Sequence, residues 1–186
     1  MKRGVVTLLV AGLLCGCSHT QVQSEWKDPA YRGPAVNSVM VLCLPADSKE
    51  KECEDDFTAE FRKKGIKAVT GYSTATAAAS RRSAMSKARE IGVSRLLVSR
   101  FVKKETEIEA FPADDMMMPD YDMWTDYQYV ESQYQIFATV LYDTATEKAI
   151  WAAESDTFVR PSEKKNMTSY VKAMVKKMEH QGLVAP

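Results

Sequence analysis

The sequence predicts one α/β domain of the α+β kind over residues 38–186: a single mixed β-sheet of about five strands, two βαβ crossovers, an antiparallel meander and a C-terminal helix. Three observations predict it. Ser38 to Leu44 is a continuous apolar run stopped by Pro45, the pattern of a strand covered on both faces. Two strand–helix–glycine–strand units follow, closed at Gly65 and at Gly92, so that successive strands return parallel. From Lys103 the pattern turns to alternation, and two further strands separated by turn residues argue an antiparallel return.

The chain ahead of the domain divides at Cys17. Lys2 and Arg3 form a positive head, Val5 to Leu14 is apolar, and Gly16 is small, which are the three parts of an export signal over residues 1–16. The apolar run is about half the length that crosses a bilayer, so no permanent span is expected. Leu14-Cys15-Gly16-Cys17 closely resembles a bacterial lipobox, with Cys15 where Ala or Ser is commoner. The resemblance implies cleavage before Cys17, a diacylglyceryl thioether on its sulfur and an N-acyl group such as palmitate. Several acyl chains hold a protein at a membrane essentially permanently. Ser18 stands where Asp would mark inner-membrane retention, which implies the periplasmic side of a Gram-negative outer membrane. Residues 17–37 are then a lipidated anchor and leash: Ser18 to Gln23 reads as free and polar, and the large aromatics Trp26 and Tyr31, in a stretch with Pro29 and Pro34, as docked on the domain.

Within the domain, Asp47 and Glu50 fit a capping box. Glu52, Glu54, Asp55 and Asp56 load the start of a helix, and Arg62, Lys63 and Lys64 load its end before Gly65. Cys53, Phe57 and Phe61 share one face at spacings of four. Ile66 to Thr70 is a second short strand. Ser73 to Ser80 leads into a helix whose apolar stripe is Ala84, Met85, Ala88 and Ile91. Val93 to Val102 is a strong strand that continues into the alternating segment from Lys103. Tyr127 to Tyr142 is a long strand, Asp143 to Glu147 a turn, and Lys148 to Val159 the returning strand. Met167, Tyr170, Val171, Met174, Val175 and Met178 form one face of a last helix, Glu163 to Gln181, with lysines off that face.

Trp26-Lys-Asp-Pro-Ala-Tyr-Arg-Gly, Val39 to Leu44, Glu54-Asp-Asp-Phe, Gly65-Ile-Lys-Ala-Val, Leu141-Tyr-Asp-Thr, Ile150-Trp-Ala-Ala-Glu-Ser-Asp-Thr-Phe and Gly182-Leu-Val together resemble a group of small bacterial envelope lipoproteins. The order of elements is similar to the small α/β domains of the TolB N-terminal region, LpoB and CsgG. Those relatives act through protein contacts, as adaptors, activators or pore subunits. The resemblance implies a non-catalytic envelope protein with a protein partner.

Composition narrows the chemistry. The 25 basic and 25 acidic residues balance, and loss of Lys2 and Arg3 leaves the mature chain slightly acidic. That excludes the clustered basic face of a nucleic-acid binder. The histidines are His19, in the leash, and His180, near the end of the last helix. No G-x-S-x-G, HExxH, Walker loop or GxGxxG is present, so an enzyme is not expected, nor a cofactor beyond the covalent lipid. Cys43 and Cys53 are either a disulfide, permitted in an oxidising compartment, or two buried thiols.

One stretch stands apart. Asp114 to Asp126 holds five aspartates, four methionines, a tyrosine and a tryptophan, with no basic residue. It reads as a hairpin tip. Met116, Met117, Met118, Tyr121, Met123 and Trp124 make it a candidate partner-binding surface, since such residues are enriched where proteins dock. The alternative is periplasmic capture of copper by the thioethers or calcium by the carboxylates, though mixed soft and hard ligands point to no single metal.

Overall fold

The computed structural model describes residues 19–44, 48–74, 80–112 and 127–185. Their elements are β1 (Thr20–Lys27), β2 (Ser38–Leu44), α1 (Ser48–Lys63), β3 (Lys67–Thr70), the single turn α2 (Gly71–Thr74), α3 (Arg81–Glu90), β4 (Arg95–Pro112), β5 (Tyr127–Asp143), β6 (Ala149–Phe158) and α4 (Glu163–His180). All strands belong to one mixed sheet in the order β1-β6-β5-β4-β2-β3. β2 runs parallel to β3 and to β4, and the other neighbours are antiparallel. The predicted α+β architecture is the observed one, with six strands rather than five.

The parallel centre follows from the apolar run of β2. Val39, Val41 and Cys43 point to the face covered by α1 and α4. Met40 and Leu42 point to the face covered by Ala84, Met85 and Ala88 of α3. A strand buried on both faces reads as an unbroken apolar run. Gly65 (φ 73°) and Gly92 (φ 71°) take the left-handed conformation just beyond α1 and α3, which glycine adopts without a Cβ penalty and which ends a helix. Ser80 caps α3 and Ser162 caps α4 through their side-chain oxygens. On α4, Tyr170, Val171, Met174, Val175 and Met178 are buried, while Lys164, Lys165, Lys172 and Lys176 are exposed.

The larger core centres on Tyr170. Its ring stacks on Phe137 at 4.3 Å and meets the edge of Phe57 at 5.6 Å. Its hydroxyl is hydrogen-bonded to Ser99 Oγ at 2.6 Å and to Thr139 Oγ1. Burial pushes the phenol up to about 12 against the partial help of those two hydroxyls.

Four expectations are corrected. The polar segment at the start of the domain is no free leash: Thr20 to Lys27 is β1, an edge strand paired with β6 from Thr20↔Thr157 to Lys27↔Trp151. It carries little apolar signal because one face is open to water, and a register shift between Val22 and Ser24 breaks its alternation. Trp26 is 47% exposed rather than docked; it sits opposite Ala152 on the face of β1 and β6 turned away from α4. Tyr31, by contrast, docks over the Arg95 guanidinium at 5.7 Å. Ile91 is 37% exposed because it is the C-cap of α3, where the helical stripe has already ended. Residues 71–74 form their own turn before α3 rather than a continuous lead-in.

Candidate functional site

β4 and β5 are much longer than their neighbours. β2 accompanies β4 only as far as Arg100, and β6 accompanies β5 only from Tyr134 onward. Beyond those points the two strands continue as a hairpin arm, from Glu105↔Tyr134 to Pro112↔Tyr127. At about 3.4 Å per residue the arm projects roughly 25 Å past the sheet. Among the described residues neither edge of the arm has a neighbouring strand. Ile108 is 67%, Tyr129 71% and Val130 49% exposed.

Register assigns the arm two unlike faces. The row Lys104–Gln135–Thr157–Thr20 lies on the α4 side, because Thr20 Oγ1 donates to Ser169 Oγ of α4 at 3.2 Å. Two and three rungs further out on that side come Ile108 with Glu131 and Ala110 with Tyr129. The opposite side carries Glu105, Glu107 and Glu109, with Val130 and Tyr134 beside them. There an open basin of about 290 Å³ is lined by Gln23, Glu105, Glu107, Tyr134, Asp156 and Phe158. Phe158 meets Tyr134 edge-on at 5.7 Å, and Gln23 Nε2 donates to Asp156 Oδ2 at 2.6 Å. Glu105, hydrogen-bonded to Lys103 at 2.8 Å, raises the ammonium above its ordinary range, with smaller help from Glu154 and Asp156.

The chain enters the sheet at the end from which the arm projects. Thr20 lies beside Thr157, Phe158 beside Tyr134, and the arm continues outward from there. His19 Nδ1 is 2.8 Å from Arg160 Nη2; desolvation and then the guanidinium charge hold the imidazole below its usual range. α1 and α4 start at this end too, since Asp56 pairs with Thr168 near their starts and Lys64 with Glu179 near their ends.

The same end holds the crevice beyond the carboxyl ends of the parallel strands, where α/β sheets bind ligands as their order reverses. Here it is occupied by the chain itself. Glu54, 3% exposed, accepts the backbone N–H of Cys43 (3.1 Å) and of Tyr72 (3.0 Å), with a further contact to the N–H of Gly71. Burial raises this carboxyl above its ordinary range against the pull of those three donors. A Cβ at Gly71 would lie 3.0 Å from Val41 O and 3.3 Å from Glu54 Oε1, so this turn needs glycine to approach so closely. Glu54 was expected among the charges loading the start of α1; it is instead the group that joins α1, β2 and α2. Next to it Cys43 and Cys53 form a disulfide, with Cα atoms 6.3 Å apart.

Of the residues singled out from sequence, Cys17 and the cluster Met116, Met117, Met118, Tyr121, Met123 and Trp124 lie outside the described residues. So does Asp47 of the capping box. The structure brings the described ends of that loop's strands together as the arm. The inward-facing Glu54, the β1 strand and the acidic basin had no signal beyond local polarity. Among the described residues no group of three or more His, Cys, Asp or Glu side chains is placed to hold a metal. No described helix is long and apolar enough to cross a membrane, which says nothing of strands.

No protein-family model and no curated protein sequence matches the chain. Solved structures do. A PelC dodecamer from Paraburkholderia phytofirmans is 12% identical, with a TM-score of 0.50 over 83% of this chain and 95% of that one. Lipoprotein GNA1162 from Neisseria meningitidis is 14% identical, with a TM-score of 0.46 over 79% and 99%. TolB from Acinetobacter baumannii is 12% identical, with a TM-score of 0.39 over 89% of this chain and 31% of that one. At these identities the likeness is one of fold: the chain has an α/β fold similar to that of PelC.

Proposed function

We propose that the chain is a periplasm-facing lipoprotein of the outer membrane, anchored through lipid on Cys17, with a non-catalytic protein-binding or scaffolding role in the envelope. The observation that carries this reading is the β4–β5 arm. A two-stranded hairpin without a covering layer is marginal in water, and open strand edges are templates for pairing with another chain. Here such a hairpin extends about 25 Å with both edges free of strand neighbours among the described residues and with Val130 half exposed beside Glu107 and Glu109. Met116, Met117, Met118, Tyr121, Met123 and Trp124, between the two strands in sequence, are of the residue types that protein contacts favour. The ligand crevice filled by Glu54 supports a role through surface contact rather than small-molecule turnover. PelC, similar in fold, forms a dodecamer, and a second copy of this chain is one partner such an arm would accept.

The test is photo-crosslinking in cells from a probe replacing Val130 or Tyr121, read by mass spectrometry. One dominant protein adduct is expected. Absence of any specific adduct, with the protein folded and lipidated, would refute the reading.

A further inference from the structure

We infer that the α4 side of the arm lies on the phospholipid headgroup layer to which the chain is anchored, with Ile108 and Tyr129 in the interfacial zone and Lys104, Lys164 and Lys165 on lipid phosphates. The inference deepens the proposed function and rests on its lipid at Cys17. Its first ground is reach. β1 begins at Thr20, three residues after the anchor, so the tether spans at most about 10 Å. The arm leaves the same end of the sheet and extends about 25 Å. An arm longer than the tether, pointing the same way, cannot stand clear of the membrane; it lies along it.

The second ground is complementarity, which selects the side that faces the lipid. On the α4 side the exposed basic groups at this end are Lys104 and, in the first turn of α4, Lys164 and Lys165. Further out follow Ile108 and Tyr129, the two most exposed large apolar side chains described. Basic groups flanking aliphatic and aromatic ones match an interfacial contact with anionic headgroups. The acidic groups on this side are Glu131, which accepts from Gln133 at 3.1 Å, Glu163 and, at the start of α1, Glu52, Asp55, held by Tyr72, and Asp56, held by Thr168 of α4. The opposite side carries Glu105, Glu107, Glu109, Glu154 and Asp156 against Arg100, Lys103 and, beside His19, Arg160, a net acidic set that an anionic surface repels. That side and the strand edges stay free for the protein partner.

The test uses the full mature lipidated protein in vesicles of phosphatidylethanolamine with phosphatidylglycerol. Spin labels are placed through Ile108→Cys, Tyr129→Cys and, on the far side, Glu107→Cys, and their accessibility to a water-soluble relaxation agent is measured. Labels at 108 and 129 are expected to be shielded and the label at 107 open. Lys164→Glu with Lys165→Glu, tolerated at a helix start, is expected to raise the accessibility of both shielded labels at least about fivefold while the lipid stays attached. Equal accessibility at all three positions would overturn the inference. So would shielding that persists in detergent with dipolar coupling between labels, which means a second copy covers the arm. A mature mass without the diacylglyceryl group overturns it together with the anchor. If the labels are open but the Val130 probe still captures one protein, this inference falls and the proposed function stands.

Discussion

Trp151 Nε1 donates a hydrogen bond to Glu25 Oε1 at 2.9 Å. Trp151 is fully buried on β6, and its one polar atom is satisfied by an edge strand whose sequence reads as a leash. Glu25 is held in turn by Lys177 of α4 at 3.8 Å. The segment that opens the described chain is thus part of the fold.

Glu25→Ala removes the acceptor and leaves the indole N–H unpaired. The expected loss is about 1–3 kcal/mol in chemical denaturation. A change near zero would mean that β1 merely rests on β6.

Tyr170 provides a pH dependence. Its folded phenol is raised to about 12 from the ordinary 10.0, so the folded state holds the proton more tightly. The associated stability is fully present below the unfolded value and is lost as pH rises from 10.0 through about 12. Tyr170→Phe is expected to cost about 1–3 kcal/mol at neutral pH, since Ser99 and Thr139 lose their shared partner, and to flatten the alkaline decline. An equally steep decline in the variant would exclude Tyr170 as its source.

Glu54→Gln keeps the shape of the side chain but only one oxygen acceptor, so one of the N–H groups of Cys43 and Tyr72 faces an amide donor. A loss of about 1–3 kcal/mol is expected. The wild-type carboxyl is raised, so its ionisation costs the folded state: stability declines as pH rises from the ordinary glutamate range through the folded value, and this step is absent in the variant. Thermal melts across the acid range distinguish the two curves.

Replacing Cys43 and Cys53 together by serine opens a short loop, ten residues in sequence separation. Chain entropy alone predicts a loss of about 2–3 kcal/mol. Mass shifts after alkylation, with and without reductant, report the bond directly, and free thiols in the protein purified without reductant would contradict it.

On the arm, Val130→Asp with Glu109→Lys changes the side away from α4 without touching the core. Stability should stay within about 0.5 kcal/mol, while the partner adduct from a probe at Tyr121 is lost. An unchanged adduct would move the contact elsewhere.

Much of this molecule is written in local pattern. The apolar run of β2, the helical stripe of α4, the glycines that end α1 and α3, and the alternation along β4 and β5 each depend on which face of one element is covered, and a periodic sequence records that. The likeness to a lipobox is likewise read from linear pattern, and the Met and Asp stretch between β4 and β5 marked the arm's location without its form. Other features depend on groups far apart in the chain. Glu54 looks like one more acid at a helix start until Cys43 and Tyr72 bring their N–H groups to it. Thr20 to Lys27 looks like a tether until β6 supplies its hydrogen bonds. That the start of β1, the arm and the starts of α1 and α4 share one end of the sheet follows only from strand register. Periodicity reports solvent exposure along a single element, whereas pairing and register are set by the joint burial of elements that only tertiary structure brings together.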